Sequence, residues 1–237
     1  MSSLGGVEAF TYIKTKESKE TNKKYPDIEI LFVGGGMQTD QGLIYRKAFA
    51  FTDEIYEKFW KPLEDKNSAT LCPLLMHPKS YGYIELTSKS PLDAPKFHGR
   101  YFTDPENSDI KTFIAAIREV QRIMEFPSMQ RYDAKLHNVP LPGCEHLEFD
   151  SDDYWECALR HVSATLHHQV GTCKMGPDQD PEAVVDNELK VYGVKNLRVA
   201  DCSVIPLPLT AHTNAPGIMI GEKLSDLLKE KWLNSWK

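Results

Sequence analysis

Long apolar runs are missing from this chain of 237 residues. Nothing approaches the roughly 20 consecutive apolar residues of a membrane-crossing helix, so no membrane span is expected. Positive charge is not in excess either. A formal net charge of −6 leaves too few clustered Lys and Arg to grip a phosphate backbone, which excludes nucleic acid as an expected partner. Cysteine is scarce: the five present include no Cys-x-x-Cys pair and are too few for a disulfide-framework miniprotein. Cys144 and Cys157 flank an acidic segment at the start of an expected helix. A local disulfide and two unpaired thiols both fit there, because spacing alone does not fix connectivity. The opening Met1-Ser2-Ser3-Leu4-Gly5-Gly6 lacks the basic and apolar regions of a secretory signal. Gly-x-Ser-x-Gly is absent, so no serine nucleophile elbow is available. Gly-x-Gly-x-x-Gly is absent as well. Gly34-Gly35-Gly36 follows a strand-like run, but Met37-Gln38-Thr39-Asp40 does not open an amphipathic helix, and a turn is the better reading than a phosphate loop.

What is present is an ordinary globular composition with enough length for one large domain or two small ones. The first thirty residues, Lys-rich from Lys14 to Lys24, read as a solvated connection. Ile28 to Val33 is β-branched and apolar and reads as a buried strand, with further strands at Thr70–Met76 and Tyr83–Thr87. A short helix is expected over Asp53–Trp60, and Ser88–Phe102 reads as loop with short extended pieces. Ile110, Phe113, Ile114, Ile117, Val120, Ile123 and Met124 recur at three- and four-residue steps. They predict a one-sided helix over Asp109–Phe126, capped by Ser108 or Asp109, ended at Pro127 and packed on the preceding antiparallel strands. Ser151-Asp152-Asp153 predicts a second helix with Trp155, Leu159 and Val162 as its stripe. Glu188–Tyr192 and Asn196–Ala200 read as two strands around Gly193-Val194-Lys195. A final helix starts near Ala215-Pro216.

The chemistry-bearing residues lie in the last third. His161, His167, His168 and Cys173 suggest a zinc site or a metal-dependent hydrolase. Adjacent His167 and His168 do not converge on one centre without strain, so no metal ligand is assigned. His168 and His212 sit in Gly- and Pro-punctuated loops, where a neutral imidazole takes a proton from a hydroxyl near neutral pH. Hydrogen-bonded core histidines remain the plainer alternative on spacing alone.

His168-Gln169-Val170-Gly171-Thr172-Cys173-Lys174-Met175-Gly176 resembles the His-x-x-Gly-Thr-x-x-Met-Gly segment of the glucose–methanol–choline (GMC) flavin oxidoreductases. Three further blocks follow in the family's order: Val185-Asp186 with Leu189–Val194, Asn196–Pro206, and Ala211-His212-Thr213-Asn214-Ala215-Pro216 with Ile218–Lys223. Upstream, Ser80–Leu86 and the Asp109 helix fit more loosely, and the insect glucose-dehydrogenase-like branch is the one most resembled.

By that resemblance His168 is the base that takes the substrate's hydroxyl proton as the carbon-bound hydride leaves for flavin N5, and His212 is its partner. Asp201 and Cys202 match positions near the ribityl and pyrophosphate of FAD, and Thr213, Asn214 and Ala215 match the segment against the isoalloxazine. Asp201 as a turn former, Asn214 as a helix cap, and Gly171, Thr172 and Met175 as turn packing stay open beside these roles. The resemblance implies an α+β fold: an antiparallel-sheet substrate-binding domain with covering helices over residues 1–167, then the closing strands and helix of an FAD-binding domain over 168–237. The family's C-terminal unit spans about 78–225, and the N-terminal βαβ nucleotide unit is missing, so a C-terminal fragment is expected. The implied reaction is FAD-dependent oxidation of a CH–OH group of an alcohol or sugar, with oxygen or quinone as electron acceptor. Secretion is compatible with the family. The rival reading is a non-catalytic binding or regulatory protein that kept the fold.

Overall fold

The computed structural model describes residues 6–22 and 24–233, and Met1–Gly5 and Lys23 of the sequence reading lie outside them. Its contacts divide the chain into two units, one of residues 1–80 and 102–164, the other of residues 81–101 and 165–237.

The first unit is built on a three-stranded antiparallel sheet ordered β1 (Val7–Ile13), β2 (Ile28–Val33), β3 (Thr70–Leu75). The central strand is covered on both faces: Ile28, Glu29, Ile30 and Leu31 are all buried. Register pairs Phe10 with Leu31 and Ile30 with Pro73. Pro73, which has no amide hydrogen to donate, is tolerated because β3 is an edge strand. β1 corrects the expectation of a solvated N-terminal connection. It is exposed along almost its whole length, so it carries no buried stripe and is held by its ladder to β2.

Two short helices, α1 (Tyr45–Ala48) and α2 (Asp53–Ile55), precede β3, and α2 continues as wider and tighter helical turns through Leu63. In the second unit β4 (Tyr83–Glu85) pairs antiparallel with β5 (Lys96–His98). The one-sided helix is α3 (Ser108–Met124). Its Ala116, with Val120 and Ile123, packs against Ile28, Ile30, Leu71 and Leu75 of the sheet, as the periodicity predicts. Its start is capped differently: Asn107 takes the N-cap position without a side-chain bond. Asp104, three residues before it, accepts the amides of Ser108 and Asp109 at 2.5 and 3.3 Å. Asp109, buried, accepts the amides of Lys79 and Ser80 at 2.7 and 2.9 Å, tying the end of the loop after β3 to the helix. Pro127 opens a one-turn helix, α4 (Pro127–Gln130).

α5 (Asp152–Val162) starts at Ser151, whose hydroxyl accepts the Tyr154 amide at 3.1 Å. Its buried residues are Tyr154 and Ala158, rotated from the expected Trp155–Leu159–Val162 stripe. They form a core with Leu141 and Cys144. Cys144 and Cys157 are joined as a disulfide, Cα atoms 6.0 Å apart.

The rest of the second unit is mostly irregular. The two strands expected over 188–200 reduce to single bridges, Lys190 to Arg198 and Val185 to Val191. Leu189 and Asn196 take φ +66° and +61°, and Asp186 Oδ1 accepts the Glu188 and Lys190 amides at 2.8 and 2.9 Å. Side-chain bonds of this kind offer the backbone a turn in place of a ladder. Val185, Leu189, Val204, Ile205 and Ile220 of α6 (Asn214–Trp232) make the core that holds these loops.

Candidate active site

His168 is placed by the turns on either side of it. Thr165 Oγ1 accepts the His167 amide at 2.9 Å and the Gln169 side-chain amide at 2.6 Å. His167 adopts φ +60°, a left-handed conformation that costs a residue with a Cβ about 1–2 kcal/mol. Past His168 the chain turns at Gly171, φ +88°. It then lies along the 202–205 segment, where the Cys173 and Met175 amides donate to the carbonyls of Ser203 and Val204 at 3.0 and 2.9 Å. Lys174 closes the following loop, its Nζ 2.7 Å from Asp180 and 3.2 Å from Glu182. Hydrogen bonds to Asp180, then Glu182, hold its ammonium above the ordinary lysine range.

His212 arrives from the other side, two residues before α6. His168 Nε2 lies 2.6 Å from His212 Nδ1, with the rings edge to face and their centroids 4.8 Å apart. At that distance one nitrogen donates and the other accepts, so the contact holds a single hydrogen. Thr213 Oγ1 lies 3.2 Å from His168 Nδ1. Both nitrogens of His168 are thereby engaged, which fixes the plane of its ring. His168 is half-buried and His212 exposed.

The remaining residues group around Thr213. Cys202 Sγ donates to the Thr213 carbonyl at 3.6 Å and would be 3.5 Å from a Cβ built on Gly217. Asp201 sits on a turn and not at a strand end: its carboxylate accepts the Ser203 amide at 2.8 Å and starts the short 3-10 turn Cys202–Val204. Asn214 and Ala215 form the exposed first turn of α6, which begins without a side-chain cap. The structure therefore links His168, His212, Thr213 and Cys202 through hydrogen bonds, while Asp201, bonded to the Ser203 amide, and Asn214 and Ala215 flank them in sequence. Sequence reasoning missed Thr165 and the Ser203 and Val204 carbonyls as positioning groups. The Thr two residues before His167 is a signal for the first, as a hydroxyl-capped turn; backbone acceptors leave no signal.

An imidazole pair on irregular loops thus sits beside the N-terminal end of a long helix. The GMC oxidoreductase family profile matches residues 78–221, and the chain belongs to that family. It is 36% identical over 232 residues to the glucose dehydrogenase [FAD, quinone] of Drosophila pseudoobscura pseudoobscura, an alignment covering 98% of this chain and 34% of that protein. It is 42% identical over 161 residues to the alcohol dehydrogenase [acceptor] of Pseudomonas putida, covering 68% of this chain and 27% of the relative. A crystal structure of formate oxidase superposes with a TM-score of 0.71 at 21% identity, covering 97% of this chain and 39% of that one, a likeness of fold. The chain spans about a third of the length of the curated relatives it matches.

Proposed function

We propose that this chain supplies the proton-handling residues of an FAD-dependent oxidoreductase that oxidises a CH–OH group of an alcohol or sugar. The observation that carries the reading is the 2.6 Å contact between His168 Nε2 and His212 Nδ1, made across 44 residues of chain. His168 Nε2 is the general base. A substrate hydroxyl entering between the rings replaces the direct contact, donates its proton to His168 Nε2 and accepts or donates at His212. Thr213 Oγ1, held on His168 Nδ1, keeps the ring facing that position. Orienting a base in this way supplies part of the rate, since proximity alone is worth several kcal/mol of barrier.

The residues present suit a flavin. α6 opens uncapped with Asn214 and Ala215 exposed, and the positive end of a 19-residue helix favours negative charge beside it. Asp201, Cys202, Thr213, Asn214 and Ala215 are the residues that would hold FAD. When bound, FAD supplies the two-electron acceptor for the oxidation. A quinone or oxygen would be the final acceptor of those electrons.

The test uses a complete family enzyme carrying this sequence. His168→Ala is expected to slow substrate-dependent flavin bleaching in stopped flow by about 10²–10⁴-fold, with the flavin still bound. An unchanged rate removes His168 as the base. His212→Asn, which keeps a hydrogen-bonding side chain, is expected to lose much less.

A further inference from the structure

His161 stands beside the disulfide in a way that the disulfide itself does not require. Its Nδ1 is 3.8 Å from Cys144 Sγ and 3.7 Å from Cys157 Sγ, so one nitrogen is nearly equidistant from both sulfurs. A tetrahedral zinc with Zn–S near 2.3 Å and Zn–N near 2.0–2.1 Å separates sulfur from nitrogen by about 3.6 Å. Two of the three ligand separations of such a centre already exist. The third, sulfur to sulfur, opens when the S–S bond is broken, and Cα atoms 6.0 Å apart leave room for two thiolates on one ion.

The surroundings hold these groups in place. Cys144 is fully buried in the Leu141–Tyr154–Ala158 core. Cys157 and His161 lie one helical turn apart on α5, on the same face. The His161 ring lies against Gly143, where an added Cβ would meet its Nε2 at 3.2 Å. Gly143 has φ +93°, so side chains are disfavoured there for a second reason. His161 Nδ1 is 2.8 Å from the Cys157 carbonyl, a bond the ring exchanges for the metal by moving its hydrogen to Nε2. His161 is exposed, which leaves a fourth position open to water.

We propose that reduction of Cys144–Cys157 creates a site for a thiophilic divalent cation such as zinc, with Cys144 Sγ, Cys157 Sγ and His161 Nδ1 as ligands. The chemistry balances with a phosphine reductant: the phosphine takes oxygen from one water and becomes the phosphine oxide, and the disulfide gains two electrons and two protons to give two thiols. Binding the cation then releases those two protons. The site is separate from the oxidoreductase reading and stands or falls without it.

Cobalt(II) reports the geometry directly. The full chain, reduced anaerobically with a phosphine, is expected to take up one equivalent of Co²⁺. Thiolate-to-metal charge transfer and the intense visible bands of four-coordinate cobalt should appear, and one equivalent of Zn²⁺ should abolish them. The oxidised chain, which carries the same three other thiols, Cys72, Cys173 and Cys202, is expected to show none of these bands. His161→Ala should weaken zinc at least tenfold against a chromophoric chelator, and Cys157→Ser should remove the bands. Equal binding by oxidised and reduced chains, no bands after reduction, or full affinity in His161→Ala each overturns the proposal. So does a chain that unfolds on reduction by circular dichroism and is not restored by zinc.

Discussion

Asp150 shows how one side chain fixes a helix–helix junction in the first unit. Its Oδ1 accepts from Arg118 Nη1, Gln121 Nε2 and Trp155 Nε1, each at 2.6 Å. Burial alone would raise its pKa, but the bonds from Trp155, Gln121 and Arg118 outweigh that and leave the carboxyl below the ordinary aspartate range. A carboxyl depressed in the folded state adds stability that is complete above its unfolded value, about 3.9. That stability is lost as pH falls through the lower folded value. Acid titration followed by Trp fluorescence is therefore expected to show destabilisation beginning below about pH 4. Asp150→Asn should flatten that slope while lowering stability at neutral pH. A slope unchanged in the variant assigns the acid sensitivity elsewhere. The polar cluster was not legible in the sequence, because nothing in the spacing of Arg118 and Asp150 announces that they meet.

At the scale of elements, the sequence was readable where a buried face has a period. α3 and α5 were expected within a few residues, since their apolar positions recur on one side. β2 was legible because both its faces are buried, while β1 was not, because it is exposed on both. The 188–200 region misled in the opposite sense. Its β-branched residues look like a hairpin, yet Asp186 and two left-handed residues turn it into bridged loops. In the candidate site, the motif blocks pointed to His168 and His212, and the structure joins them. Thr213 gained a contact to His168 that no spacing rule supplies. Another element-scale consequence concerns the loop before α5. The Cys144–Cys157 link closes a segment with a sequence separation of 13. Restricting the unfolded chain over such a loop contributes about 3 kcal/mol in the entropic account. With metal chelated, Cys157→Ser is expected to lower the unfolding free energy by a corresponding amount, about 2–3 kcal/mol, read as a lower urea midpoint. A midpoint that does not move shows the link to be energetically idle.

For the whole molecule, surface is the telling quantity. The accessible area is 16359 Å² for a chain of 27.0 kDa. Folded proteins of about 16 and 11 kDa, the sizes of the two units counted as separate bodies, would together expose about 13,000 Å². Among the exposed apolar residues are Leu86, Leu92, Leu207, Phe97 and Ile218. Exposed apolar side chains are places where an apolar dye can bind. Since the chain spans about a third of its curated relatives, it is expected to bind an apolar fluorescent dye strongly when produced alone at neutral pH. The same sequence within a complete family enzyme should bind far less. Equal dye signals from the two would show that these residues stay uncovered in both.

The bond between Cys144 and Cys157 also bears on how the protein is made. A bacterial cytoplasm and an oxidising secretory host would yield two chemical species from one gene, differing by two hydrogens at a buried position. Work on this protein should begin by counting its free thiols, because batches from the two hosts are not interchangeable samples.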